Sequence, residues 1–375
     1  MPARPCLHII SFDVPSPPDY GGVIDVFYKL KALSNEGVRI FLHAYEYGRK
    51  PSIELNDFAE EVYYYPRMTA KSLLFNTYPY IVLTRNSPDL KARLLKDDHP
   101  ILMEGLHSTF LLNDPAFAER KIIVRTHNVE HDYYSNLARV EKNIFKRYYF
   151  YNEAGKLAKY ESVLQKASAI AAISPADTAH FMHSFKQVHY ITAFHPFEKV
   201  EIKSGKGDFA FYHGNLNVGE NNEAALFLVE KIFNDLPYRL IIAGNRPSKE
   251  LVKAVSATRN VVLKDNLSHQ EIQKLISSAQ CNVLPTFQST GIKLKLLAAL
   301  FSGRTCIVNT PMVLNTGLES LCGIADSPEE LKTCITEAMH KGSFDNEEIK
   351  KRKEILMTDF SNVEGGKKIL RCLQE

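Results

Sequence analysis

The sequence predicts an α/β protein of two Rossmann-like halves, each a parallel sheet covered by helices. Three observations predict it. The chain of 375 residues exceeds the size at which one hydrophobic core usually keeps growing. Short apolar runs alternate with stretches of helical period from end to end, the pattern of parallel strands joined by helices. That pattern breaks once, near residues 190–208, where His195-Pro196 and the polar stretch Ile202-Lys-Ser-Gly-Lys-Gly-Asp208 interrupt the periodicity.

In the first half the strand candidates are Leu7–Phe12, Val38–Ala44, Glu61–Tyr65, Ile101–Glu104, Ile122–Thr126 and Ala169–Ile173. In the second they are Phe209–His213, Tyr238–Ala243, Val261–Leu263, Cys281–Pro285 and Thr305–Asn309. The expected domains are residues 1–195, residues 196–355, and a terminal helix over 356–375 that packs back on the first domain. In open parallel sheets ligands bind beyond the carboxyl ends of the strands, so the informative residues are those that follow each strand.

Composition bounds the partners. With 45% apolar and 24% charged residues the chain is an ordinary globular protein, and a net charge of +3 gives no ground for a nucleic-acid partner. The six cysteines form no CxxC pair and mostly sit in apolar surroundings, as reduced core thiols do. No signal-peptide pattern opens the sequence, and no apolar run approaches the roughly 18 residues that span a bilayer. A cytoplasmic location follows as the expectation.

Four segments carry candidate chemistry. Pro15-Ser-Pro-Pro-Asp-Tyr-Gly21-Gly22 lies between the first strand and a helix opening near Val23. Paired glycines let backbone approach a ligand, and a helix start offers N–H groups to an anion. An ordinary tight connection reads the same way. The second, Gly291-Ile-Lys293-Leu-Lys295, follows a strand and the loop Thr286–Thr290. A helix beginning near Gly291 points its positive end at that loop, and the two lysines add full charges able to hold a leaving diphosphate. In this strand–loop–helix setting the phosphate reading is preferred to a solvated basic face.

The third segment is Arg125-Thr-His127-Asn128-Val-Glu130-His131. His127-x-x-Glu130-His131 matches a zinc-peptidase pattern, which needs both histidines on one helix. His127 follows directly on a strand, so a polar sugar-facing loop is preferred and no metal site is expected. The fourth is Met103-Glu104-Gly-Leu-His107, where His107 at a strand end could transfer a proton or simply be a structural histidine. P-loop, GxGxxG, GxSxG and zinc-ribbon spacings are absent from the sequence, against the common NTPase, dehydrogenase and serine-hydrolase readings.

Taken in order, these segments resemble the family-4 type of retaining GT-B glycosyltransferases over nearly the whole chain. The ordered set runs from Gly21-Gly22 through Glu104–His107, Thr126–Glu130 and Ala172-Ile-Ser174. It continues with Phe211-Tyr-His-Gly214-Asn215, Leu240-Ile-Ile-Ala-Gly244 and the Pro285–Gly303 region. The resemblance implies a GT-B architecture, with two Rossmann-like domains facing across a cleft. It also implies a nucleotide-sugar donor on the C-terminal domain and a saccharide or lipid-linked acceptor on the N-terminal one. Transfer then needs no metal or cofactor and retains the anomeric configuration. By analogy Lys293, Lys295 and the amides of Ser289, Thr290 and Gly291 contact the donor phosphates, with Gly214 and Asn215 alongside. Gly21 and Gly22 approach the donor from the other domain, and His107 sits near the sugar. Glu104, His127, Asn128 and Glu130 fall on the acceptor side.

Two departures stand out. The resembled family usually carries two glutamates separated by seven residues around the last helix; here Thr290 and Ala298 occupy those positions. The usual arginine and lysine after His213-Gly-Asn-Leu are replaced by Asn215 and Glu220-Asn-Asn222. They keep open a second reading, a GT-B binding partner that lost turnover. Finally, residues 139–166 combine several lysines and arginines with Tyr148-Tyr-Phe-Tyr151, a candidate peripheral membrane contact at the inner face. An amphipathic surface helix with its aromatics in the core is the preferred reading.

Overall fold

A computed structural model describes residues 4–141, 143–287 and 294–374. The chain divides into two compact units, residues 1–196 with 360–375, and residues 197–359.

The first unit is built on β1 (Cys6–Ser11), β2 (Arg39–Glu46), β3 (Glu61–Pro66), β4 (Ile101–Glu104), β5 (Ile122–Thr126), β6 (Ala169–Ala172) and β7 (Val188–Tyr190). They form one sheet, all pairs parallel, in the order β3-β2-β1-β4-β5-β6-β7. Successive side chains of a strand point to opposite faces. Accordingly Ile9, Leu102 and Ile123 enter one apolar cluster while Ile10, Met103 and Val124 enter the other. Both faces are covered, which is why these strands read as continuous apolar runs.

Helix Asn362–Gln374 belongs to this unit. Its Ile369 and Cys372 join the cluster of Leu7 and Ile9, and Gly366 lies against Ala32 and Leu33 of helix Gly21–Asn35. Helix Asn346–Asp359, by contrast, belongs to the second unit, where Arg352 is buried and donates to the carbonyls of Gly303 and Arg304.

The second unit contains β8 (Phe209–His213), β9 (Arg239–Ala243), β10 (Val261–Lys264), β11 (Cys281–Val283), β12 (Thr305–Val308) and β13 (Gly323–Ile324). They form a second all-parallel sheet, ordered β10-β9-β8-β11-β12-β13. The short edge strands β7 and β13 are absent from the sequence-based expectation. Three residues and two residues long, they carry too little alternation to register as strands.

In each sheet the strand order reverses once, between β1 and β4 and between β8 and β11. A crevice opens where neighbouring connections leave in opposite directions, and ligands of open α/β sheets bind there.

Candidate functional site

At the first reversal the strand ends deliver charged groups into a dry interior. Helix Gly21–Asn35 turns an otherwise apolar face, with Val23, Val26, Phe27 and Leu30, toward the sheet, yet the same face carries Asp25 and Lys29. Their spacing of four residues places them one above the other. The Lys29 Nζ donates to Asp25 Oδ2 at 2.8 Å and to both Glu104 oxygens at 2.7 and 2.8 Å. Arg125, at the end of β5, grips Asp25 through Nε at 3.2 Å and a terminal nitrogen at 2.9 Å. It also donates to the carbonyls of Ile191 and Thr192, fixing the chain beyond β7.

All four side chains are buried. Burial alone raises the Asp25 and Glu104 carboxyls. The charges of Arg125 and Lys29 around Asp25, and of Lys29 beside Glu104, outweigh it and hold both below the ordinary range. His127 completes the network, its Nε2 3.0 Å from Glu104 Oε2. Glu104 therefore faces its neighbours and not solvent, and His127 is the network's more exposed member.

His107 and Glu130 make a different pair. Gly105 adopts φ +68, and a Cβ there would stand 2.8 Å from His107 Nδ1, so glycine at this position lets the ring fold back. His107 Nδ1 lies 3.8 Å from Glu130 Oε1, beyond hydrogen-bond length, and among the described residues neither atom has a hydrogen-bond partner. Burial lowers the His107 imidazole well below its ordinary value, helped by the Arg85 and His127 charges. Burial pushes the Glu130 carboxyl up to about 8, against a hydrogen bond from the Asn128 side chain. Near neutrality the pair is thus an uncharged imidazole beside a protonated acid. Unsatisfied buried polar atoms are uncommon in native proteins and concentrate where chemistry or binding happens.

Phe12, just past β1, organises the site from above. Its ring lies 5.4 Å from His107 and edge-on to His127 at 5.3 Å. A Cβ on Gly22 would meet Phe12 Cζ at 2.7 Å, whereas Gly21 has open space around it. Helix Gly21–Asn35 starts at these two residues, two positions before the expected Val23, with no side-chain cap on Tyr20.

At the second reversal the strand ends carry amides and hydroxyls. Asn221, in the first turn of helix Gly219–Phe227, donates from Nδ2 to the Asn215 carbonyl and accepts from Lys295 Nζ at 2.9 Å. Lys295 also lies over the Tyr212 ring, 5.4 Å from its centre. Thr286 donates to Glu220, and its backbone N–H and carbonyl are clamped by the side-chain amide of Asn309. Gly214 and Gly244 let two strand ends close on each other; a Cβ on Gly244 would sit 2.0 Å from the Gly214 carbonyl oxygen. Burial, with the Lys295 charge beside it, pushes His213 down to about 3. Ala298 packs among Phe209, Phe211, Ile241 and Ile276 in an apolar cluster.

Ser289, Thr290, Gly291 and Lys293 lie outside the described residues, as does the helix start expected near Gly291; the described part of that helix is Leu294–Ser302. Of the other expected residues, the structure gathers Glu104, His107, His127, Asn128 and Glu130 in the first unit. It gathers Gly214, Asn215 and Lys295 in the second. Sequence reasoning missed Asp25, Lys29 and Asn221. A signal for the first two existed: two opposite charges one helical turn apart on an apolar helix face are buried together or not at all.

His127 and His131 diverge. His127 turns to Glu104, and His131 turns to Glu161, with its Nε2 3.5 Å from Oε2. Helix Ile144–Tyr160 corrects the expectation that its aromatics are core. Tyr149 and Phe150 pack on the apolar cluster, while Ile144, Phe145, Tyr148 and Tyr151 are 61–80% exposed. With helix Glu130–Val140 it encloses a groove of about 850 Å³, lined by Ile144, Tyr148 and Tyr151 together with Arg139 and Arg147. Among the described residues no helix is long and apolar enough to cross a membrane.

Two parallel-sheet Rossmann-like units, each with its ligand-binding reversal point, define the GT-B fold, and solved structures of that fold align over the full chain. Sucrose-phosphate synthase from Thermosynechococcus elongatus superposes with a TM-score of 0.66 at 14% identity, covering 99% of this chain and 98% of that one. Medicago truncatula UGT71G1 complexed with UDP-glucose gives 0.58 at 11% identity, covering 99% of both. Residues 208–341, most of the second unit, match the family described as Glycosyl transferases group 1. The chain has the GT-B fold, and its second unit is similar to the glycosyl transferases group 1. A Klebsiella pneumoniae protein described as an uncharacterized 44.6 kDa protein in the cps region is 25% identical, with 95% of each chain covered.

Proposed function

We propose that the protein transfers a sugar from a nucleotide-sugar donor to a saccharide or lipid-linked acceptor during surface polysaccharide or glycolipid synthesis, with retention at the anomeric carbon. The observation that carries this reading is the match of residues 208–341 to Glycosyl transferases group 1, on the unit whose strand ends bring Lys295, Asn221 and Gly214 together. The similar UGT71G1 structure holds UDP-glucose, and the Klebsiella relative comes from a cps region.

On this reading Lys295, with Lys293, neutralises the departing diphosphate, and Gly214 and Asn215 give its oxygens access to backbone. A ligand hydroxyl beside His107 and Glu130 donates to the imidazole Nδ1 and accepts from the protonated carboxyl, satisfying both atoms at once. The buried Asp25–Lys29–Glu104–Arg125 network holds His127 and the neighbouring loop in place. The exposed aromatics and arginines of residues 139–151 rest on anionic lipid and bring a lipid-linked acceptor close.

A thermal-shift screen with UDP, GDP, ADP, dTDP and CMP tests the donor assignment. A ligand that binds only the folded state raises its stability by mass action, so one nucleotide should raise Tm and lose that effect in Lys293→Ala/Lys295→Ala. Failure of every nucleotide overturns it. Ala298 favours a second reading, a partner protein that binds without turnover, because its apolar surroundings offer no carboxylate to a ribose. Nucleotide binding with no sugar transfer or donor hydrolysis selects that reading.

A further inference from the structure

Away from the His107–Glu130 pair, three elements of the first unit converge on a second cluster. His131 comes from the first turn of helix Glu130–Val140, Glu161 from the turn after helix Ile144–Tyr160, and His180 from helix Pro175–Ser184. One ligand atom from each lies within 4.8 Å of the other two. His180 Nε2 is 2.8 Å from Glu161 Oε1, and His131 Nε2 is 3.5 Å from Oε2, so both rings aim the same nitrogen at one carboxylate. His131 Nδ1 stands 3.3 Å from Asp132 Oδ1.

From this geometry we infer that His131, Glu161 and His180 form a zinc site with one coordination position open to solvent. Donors about 2.0–2.2 Å from zinc at tetrahedral angles stand roughly 3.4 Å apart, between the 2.8 and 3.5 Å that separate the two imidazoles from the Glu161 oxygens. Asp132 lies beside the other ring nitrogen of His131, on the side where metal-bound imidazoles usually have a carboxylate, which leaves Nε2 for the metal. The side chains of His131, Glu161 and His180 are 23%, 14% and 34% exposed, so an ion can enter and keep a water. The carboxylate of Asp132 adds negative charge beside the cluster.

The Asp25–Glu104–His127 group has similar spacing but a different balance. There the Lys29 ammonium and the Arg125 guanidinium already occupy the carboxylates. Among the described residues no lysine or arginine pairs with Glu161, and two imidazoles with a carboxylate suit a borderline-soft divalent ion. The site does not depend on the donor or acceptor assignments above.

The test is zinc titration of the chelator-stripped full chain against a chromogenic indicator, paired with thermal unfolding at each zinc level. One equivalent of zinc per chain, accompanied by a rise in Tm, is expected. His131→Gln/His180→Gln should lose both the bound equivalent and the rise, whereas His183→Gln, an exposed histidine of the same helix, should keep them. Asp132→Asn should bind about tenfold more weakly, the usual effect of losing an outer carboxylate. If the double variant is unstable, Glu161→Gln is read instead and should also lose the equivalent. No stoichiometric zinc, or the same zinc in the variants, overturns the site.

Discussion

In the first unit the ends of β4 and β5 and the facing helix are stocked with full charges that satisfy one another. In the second, the ends of β8 and β11 carry amides, hydroxyls and Lys295. Lys29 and Arg125 meet carboxylates, whereas Lys295 donates to the side-chain oxygen of Asn221 and lies over the Tyr212 ring. A charge already paired in a dry interior positions its neighbours. Both units use the same topological feature, one to bury a network of charges and the other to gather amides, hydroxyls and a lysine.

The largest effect should come from breaking the buried network. Lys29→Met leaves Glu104 buried without its cation and Asp25 with Arg125 alone, and loss of one partner of a buried pair costs about 3–5 kcal/mol. Urea denaturation should show it. A loss under 1 kcal/mol would mean that water reaches the network and that the contrast between the units is weaker than drawn. Next comes Gly244→Ala, whose Cβ meets a backbone carbonyl that no rotamer change can move aside. Overpacking of this kind costs about 1–3 kcal/mol, read as a lower midpoint of unfolding.

Much of this was legible in the sequence. The continuous apolar runs Leu7–Phe12 and Ile101–Glu104 announced parallel strands buried on both faces, and Gly21-Gly22 and His107 followed strand ends. The network was not legible, because Asp25 and Arg125 are a hundred residues apart and only the sheet order makes them neighbours. Asn221 was hidden for another reason: it stands where the resembled family places cations, and an amide reads as a loss until its partner Lys295 is known. The exposed faces of Tyr148 and Tyr151 were missed because helical spacing alone does not say which side of a helix has a neighbour.

The remaining effects are smaller. Lys295→Ala should weaken nucleotide binding about tenfold, ~1.4 kcal/mol, measured as a reduced thermal shift. Loss of more than a hundredfold would make Lys295 the whole nucleotide site and not one part of it. Glu130 provides a pH test. Its folded value near 8 lies above its unfolded value, so the folded state binds more protons between roughly pH 4.5 and 8 and stability falls as pH rises through that window. Glu130→Gln should flatten that decline in urea midpoints taken at pH 5 and pH 8; an unchanged slope would place the titration elsewhere. His43 and His213, both pushed down to about 3 by burial, act oppositely: stability falls as pH drops below about 6.5. Least of all, Phe145→Glu/Tyr148→Glu should lower sedimentation with anionic vesicles several-fold while leaving Tm unchanged, since both side chains are exposed.

Helix Asn362–Gln374 sets an order of assembly. As the chain leaves the ribosome, residues 197–359 emerge as one uninterrupted stretch, and domains generally fold as units during synthesis. The N-terminal sheet emerges earlier yet lacks the helix that packs with Leu7, Ile9 and Leu33 until residues 362–374 are translated. A nascent chain halted near residue 359 therefore presents a finished C-terminal unit and an N-terminal unit with one apolar face incompletely covered, a natural target for a chaperone.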